Sequence, residues 1–201
     1  MVTKEIVREN HTYVKQIINL IFKDMKRKID IGLIGETAVT MELLKLGYDV
    51  INLNHFKNNY KNADLICTNS DTGKSTMIQV KTGTQKNLLA GFISELDGTV
   101  LKLEEKIIGP WVFVYTDKTF SSMEFYVLTR EEIIELIKTS CHWYANEFYD
   151  RQLKKKPMVG VELTWLRGET TPANKNRPEY KSTLKESSRD RWDKLEDLLS
   201  F

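Results

Sequence analysis

Ala63-Asp64-Leu65-Ile66-Cys67-Thr68-Asn69-Ser70-Asp71-Thr72-Gly73-Lys74-Ser75-Thr76-Met77-Ile78-Gln79-Val80-Lys81-Thr82 reads as two strands joined by a turn. Ser70 to Gly73 carry the turn, because Asx and Ser side chains hydrogen-bond their own backbone and glycine accepts positive φ. With these residues in the loop, Asn69 faces Lys74, and antiparallel counting sets Asp64 opposite Gln79. Lys81 falls further along the same face, since side chains alternate along a strand. Opposed residues sit about 5 Å apart at Cβ and diagonal ones about 7–8 Å, so Asp64, Gln79 and Lys81 share one patch. A slip of one residue would send Asp64 to the other face. Ile78 and Val80 alternate with Gln79 and Lys81, which gives one apolar and one polar side. Solvent exposure is the simpler explanation of a lone Gln-x-Lys, so only the surroundings can shift the reading toward a site.

Upstream, the spacing predicts a helix from about Asp30 to Lys45, stopped by Gly47. Gly32, Val39 and Leu43 fall on the same stripe as Glu36. Small residues at Gly32, Gly35 and Ala38 would let this helix approach a sheet closely. Two helical glycines cost on the order of 1 kcal/mol each relative to alanine, which asks for a packing or functional reason. Glu36 would then face packed structure, which a carboxylate avoids unless it has a partner. The alternative is a glutamate at the helix margin that reaches water.

Two carboxylates with backbone carbonyl and water oxygens suit a hard cation such as Mg²⁺, with Mn²⁺ as substitute. A lysine beside them can help deprotonate an attacking water or hold a phosphate oxygen. Clustered carboxylates repel one another without a cation, so Asp64→Asn is expected to raise metal-free stability slightly.

At this point the chain resembles the PD-(D/E)XK nuclease superfamily. The resemblance rests on a helix with Glu36, a strand with Asp64 and the string Ile78-Gln79-Val80-Lys81-Thr82. It covers roughly residues 30–130 and is similar, in the Gln-x-Lys string, to Mrr-like and intron-associated nucleases. It implies an α/β fold with a restriction-endonuclease-like core: a central mixed sheet flanked by helices, with N- and C-terminal helical additions. It also implies catalytic roles for Glu36, Asp64, Gln79 and Lys81, and Mg²⁺ ligation by Glu36, Asp64, Gln79 and the Val80 carbonyl. Ala63 stands where the motif has proline. Gln79 replaces the usual second acid, which favours one metal over two. The expected activity is endonucleolytic hydrolysis of DNA by a homodimer, since one such site cuts one strand. A non-catalytic binding module of the same fold and an RNA nuclease remain open.

Elsewhere the pattern predicts helix over 3–28 and strands at 48–53, 111–115 and 124–128. A helix near 100–107 is expected within an otherwise irregular 84–109. Thr129 and Glu132 form a capping-box pattern ahead of a helix, with a further helix from Cys141 to about Lys154. A last strand is expected over 159–165. Residues 1–166 read as one nuclease domain. Residues 167–201 read as a polar excursion, a cap at Ser187–Asp190 and a helix docked by Trp192, Leu195 and Leu199. Trp143, Tyr144, Phe148 and Tyr149 crowd one helix, as core or dimer packing or, less simply, as a base-stacking surface. Lys23 to Lys28 is a solvated helix end or a phosphate patch. Lys86, Lys154, Lys155, Lys156, Lys175 and Arg177 are further candidates for DNA contacts.

The 201 residues are 41% hydrophobic and 29% charged, enough for one packed domain. A net charge of +2 leaves nucleic-acid binding to local patches. Two distant cysteines exclude a disulfide framework and fit a reducing cytoplasm. The first residues do not read as a signal peptide, and no apolar run reaches the roughly 20 residues of a membrane span. His11, His55 and His142 lack zinc-ligand spacing, and there is no phosphate-binding glycine loop.

Overall fold

The computed structural model describes residues 31–55, 60, 62–148 and 153–200. The expected helix over 3–28, the basic cluster at 23–28 and Tyr149 lie outside them. Residues 31–45 form α1, which ends at Gly47, held at φ 87°. That left-handed conformation favours glycine, which has no Cβ to clash. Strands β1 (Asp49–Asn52), β2 (Leu65–Thr68) and β3 (Ser75–Gly83) follow as an antiparallel meander. The turn forms as counted: the Asn69 N–H donates to the Lys74 carbonyl at 2.9 Å, and Thr68 pairs with Ser75.

After β3 the chain makes β4 (Asn87–Ile93) and the short helix α2 (Leu103–Lys106), then enters β5 (Trp111–Thr116) parallel to β3. β6 (Met123–Leu128) returns antiparallel, so the central sheet runs β1-β2-β3-β5-β6. The chain is therefore α/β with a mixed central sheet. The strand β4 replaces part of the irregular chain expected over 84–109. It pairs with β7 (Met158–Glu162) in a separate ribbon. Its Leu-rich sequence and Gly91 carry little strand propensity, and pairing with β7 overrides that.

The sheet separates two cores by alternation. Leu65, Cys67, Ile78, Val80, Val112 and Val114 face one way and pack with Val39 and Leu43 of α1. Trp111, Phe113, Tyr126 and Leu128 face the other way, against α3 (Arg130–Asn146) and the β4–β7 ribbon. Thr129 caps α3 in the expected box: its hydroxyl accepts the Glu132 N–H, and Glu132 accepts the Thr129 N–H.

The helical pattern around Cys141 belongs to α3 itself, which runs unbroken to Asn146, so no separate helix begins there. Trp143 is buried in the core and Tyr144 and Phe148 pack against it, which makes this cluster packing rather than an open stacking surface. The strand expected over 159–165 stops at Glu162, and Leu163–Leu166 turn into a short helix, α4. Beyond it the chain pairs β8 (Thr170–Thr171) with β9 (Tyr180–Lys181). Tyr180 and Leu184 are buried, with Tyr180 5.0 Å from Trp143 and 4.9 Å from Trp165 between ring centroids. The excursion thus closes one core rather than only skirting it.

Helix α5 (Asp193–Leu199) buries Leu195 and Leu199 against the α1 side of the sheet, with Trp192 on Phe125. Ser187–Asp190 does not cap it. Ser188 is instead buried as a bridge, its N–H on the Leu166 carbonyl and its own carbonyl taking the Val127 N–H. No helix among the described residues is long and apolar enough to cross a membrane.

Candidate active site

Strand β3 outruns β2. Its residues up to Ile78 pair with β2, while Gln79 to Gly83 pair only with β5. Asp64 lies just before β2, and its N–H donates to the Ile78 carbonyl at 2.9 Å. That continues the register and sets Asp64 opposite Gln79, as the turn count predicts. The Asp64 carboxylate then takes over where the ladder ends. It accepts the Val80 N–H at 2.8 Å and a hydrogen bond from the Gln79 side-chain nitrogen. Both Asp64 and Gln79 are 8% exposed, so the polar side of β3 is not a solvated face here.

Glu36 reaches the site from the layer on the other side of the sheet. This needs α1 to lie very close to β3, and Gly35 provides it: a Cβ there would be 1.8 Å from the Thr82 hydroxyl oxygen. Gly32 does not share that role, for nothing lies within 4 Å of its would-be Cβ. The end of β1 and the turn after it supply two side chains that sequence reasoning missed. Asn52 donates to Glu36 Oε2 at 2.9 Å. Asn54 donates from one amide nitrogen to both Glu36 Oε1 and Asp64 Oδ1, each at 3.1 Å. The carboxylates therefore lie no further apart than those two bonds laid end to end. An alternating Asn52-Leu53-Asn54 beside a predicted strand end was the available signal.

Lys81 completes the cluster. Burial lowers the pKa of its amine, while Asp64 and Glu36 pull it partly back. Its ammonium lies 5.4 Å from the centre of the Trp111 ring, and Trp111 is the β5 partner of Gln79. Gly91 of β4 passes overhead, its would-be Cβ 3.7 Å from Lys81 Nζ. Glu36, Asp64, Gln79 and Lys81 line a cleft of about 290 Å³ and border a second of about 530 Å³ on the β3–β4 side.

No family model, curated protein or solved structure matches the chain.

The Asn54 amide places hydrogens, the positive end of a dipole, between two carboxylate oxygens. A small cation there would meet the same two oxygens with full charge. No group of three or more His, Cys, Asp and Glu placed to hold a metal ion occurs among the described residues. Two acids in an open cleft suit a hard cation that keeps several waters. Gln79 presents its nitrogen to Asp64, and its oxygen would replace that nitrogen only after the amide turned over. Val80 contributes its N–H to Asp64 and buries its side chain in the core.

The two cysteines offer no alternative chemistry. Both are buried and unpaired, and burial pushes Cys67 up to about 12 and Cys141 up to about 11, far from a thiolate nucleophile at neutral pH.

The outlying cations are not brought to the cleft. Lys156 pairs with Glu95 at 2.5 Å, and Lys154, Lys155 and Lys175 are exposed. Arg177 lies 3.7 Å from Glu162 and over the Trp143 ring. Lys86 borders a separate depression beside Tyr115 and Arg167, although Gln85 and Asn87 on either side of it reach the larger cleft.

Proposed function

We propose that the chain is a Mg²⁺-dependent endonuclease that hydrolyses phosphodiester bonds in DNA on a restriction-endonuclease-like core. One observation carries this reading: Asp64, Gln79 and Lys81 meet on one face at the frayed end of the β2–β3 pair, and Glu36 joins them from α1 through Asn54. The sheet order β1-β2-β3-β5-β6, with β5 parallel to β3, supports the core expected from the resemblance.

Glu36 and Asp64 would hold the cation, joined by the Gln79 oxygen and the Val80 carbonyl. The cation supplies an activated water and neutralises charge on the scissile phosphate. Lys81 does the work of the chain's own atoms. Its lowered pKa raises the neutral fraction of the amine, which can accept a proton from the attacking water. In its charged form it holds a phosphate oxygen. Gln79 and Val80 fix Asp64 through its Oδ2.

A homodimer fits cutting of two strands, and the β4–β7 ribbon leaves Leu89, Ile93 and Met158 exposed for such a contact. Buried free thiols support a cytoplasmic location. One observation favours a second reading, a non-catalytic nucleic-acid-binding or protein-interaction module: the amides of Asn54 and Gln79 satisfy both acids without a cation.

The test is incubation of the purified protein with supercoiled plasmid and, separately, with structured RNA, in Mg²⁺, Mn²⁺ or EDTA. Nicking that needs the metal and disappears in Lys81→Ala is the expected outcome. Binding without cleavage under every condition would select the second reading. Cleavage of RNA alone would move the substrate.

A further inference from the structure

Lys106 ends α2 at the rim of the cleft that holds Glu36, Asp64 and Lys81. Its ammonium lies 5.8 Å from the centre of the Phe92 ring. Phe92 stacks on Trp111, with centroids 5.8 Å apart and planes 25° from parallel. Trp111 in turn carries Lys81. Two cations thus bracket one aromatic pair, Lys81 deep and Lys106 exposed.

The β4 strand makes this arrangement. Its pairing with β7 shifts register between Leu89 and Ile93, and Gly91 sits there at φ 81°. A bulge re-aims the side chains around it, and Phe92 is brought to Trp111 in this segment.

The other cations near α2 are committed. Lys102 lies 3.6 Å from Glu105, and Lys138 is 2.5 Å from Glu104. Arg130 donates to the Ile107 and Glu104 carbonyls at 2.7 Å each. Lys106 has no carboxylate partner among the described residues. A ring face steadies an ammonium without neutralising it, so Lys106 keeps a full charge free for a ligand. Among the described residues the charged lining of the cleft is Glu36, Asp64, Lys81 and Lys106, so Lys106 is the exposed cation beside the two acids.

We propose that Lys106 is a phosphate-binding residue, holding a backbone phosphate beside the scissile one while Phe92 fixes its ammonium. The proposal rests on the DNA reading of the site. A protein that neutralises one phosphate fewer loses close to one unit of slope in log Kd against log salt.

The experiment is fluorescence anisotropy with a duplex DNA oligonucleotide in EDTA, titrated across salt. Lys106→Gln should weaken binding and lower the slope by about 1, while Lys106→Arg keeps it. Lys102→Gln, whose cation is already paired, should leave the slope unchanged. Lys106 is exposed, so melting temperatures should match across the set. Wild-type binding with an unaltered slope in Lys106→Gln overturns this role alone, as does an equal loss in Lys102→Gln. Wild type without salt-dependent DNA binding overturns the DNA reading and this role with it.

Discussion

Gly35 and Thr82 meet so closely that no side chain fits between α1 and β3. A Cβ on Gly35 would lie 1.8 Å from the Thr82 hydroxyl oxygen, 2.8 Å from its Cβ and 2.9 Å from its methyl. Rotating Thr82 cannot relieve all three. Gly35→Ala should therefore destabilise the fold, since overpacking of this kind costs about 1–3 kcal/mol against a helix-propensity gain of about 1 kcal/mol. Displacing α1 also moves Glu36, so metal-dependent activity should fall with it. Gly32→Ala, on the same helix with open space around it, should stabilise by about 1 kcal/mol. Urea titration of both variants checks this. Equal shifts of one sign would refute the close-approach account.

Lys81→Met should trade activity for stability. Losing a general base typically costs about 10²–10⁴-fold in rate. The stability change follows from the sign of the pKa shift. Burial holds the folded-state value of Lys81 below its ordinary 10.5. The charged amine therefore penalises the fold below that folded-state value, and the penalty is gone once pH passes 10.5. Lys81→Met should be more stable than wild type at neutral pH, with a difference that fades as pH rises through this window. Denaturant midpoints of both proteins at several pH values give the comparison. A constant difference across pH would show that the charge is not the cause.

Asp64→Asn reverses the expectation drawn from repulsion alone. The carboxylate is not bare: Val80, Gln79 and Asn54 all present N–H donors to it. An asparagine must turn its own NH₂ toward one of them. Leaving a buried donor unpaired costs about 1–3 kcal/mol, so the variant should melt lower in metal-free buffer and lose Mg²⁺-dependent cleavage. Calorimetry in EDTA measures the first effect. A higher melting temperature would restore carboxylate repulsion as the dominant force.

The hairpin was legible because its turn residues fix the loop, and the loop fixes the register that sets Asp64 opposite Gln79. The parallel placement of Trp111 beside Gln79 was not, since nothing local specifies a long-range crossover. The β4 wall with Phe92 was invisible for the same reason: its partner β7 lies far along the chain. Asn52 read as the end of a strand and Asn54 as the first residue of a polar loop, since an asparagine beside a strand end usually marks a turn. Their clamp on Glu36 exists only once α1 has crossed the sheet. At the break after Glu162, where a strand pattern becomes helix, the Leu163 N–H bonds the Lys86 carbonyl, again a distant contact.

Gln79 gives the sharpest test of whether the two acids surround a cation. Its side-chain nitrogen donates to Asp64. Gln79→Glu replaces that donor with a carboxylate of the same shape, so two acceptors face each other in a buried setting. In EDTA the variant should melt below wild type, because the pair must share a proton or separate. A divalent cation should reverse this. Added negative charge tightens binding, and ligand stabilisation grows as RT ln(1 + [L]/Kd), about 2.7 kcal/mol at a hundredfold excess over Kd. The rise in melting temperature on adding Mg²⁺ should therefore be larger in Gln79→Glu than in wild type. Gln79→Leu lacks both donor and oxygen, so it should lose stability in EDTA and gain little from Mg²⁺. Melting curves of the three proteins across Mg²⁺ concentration provide the comparison without any substrate. If Mg²⁺ lifts all three equally, or none of them, Glu36 and Asp64 do not enclose a cation site, and the amides of Asn54 and Gln79 are their permanent partners.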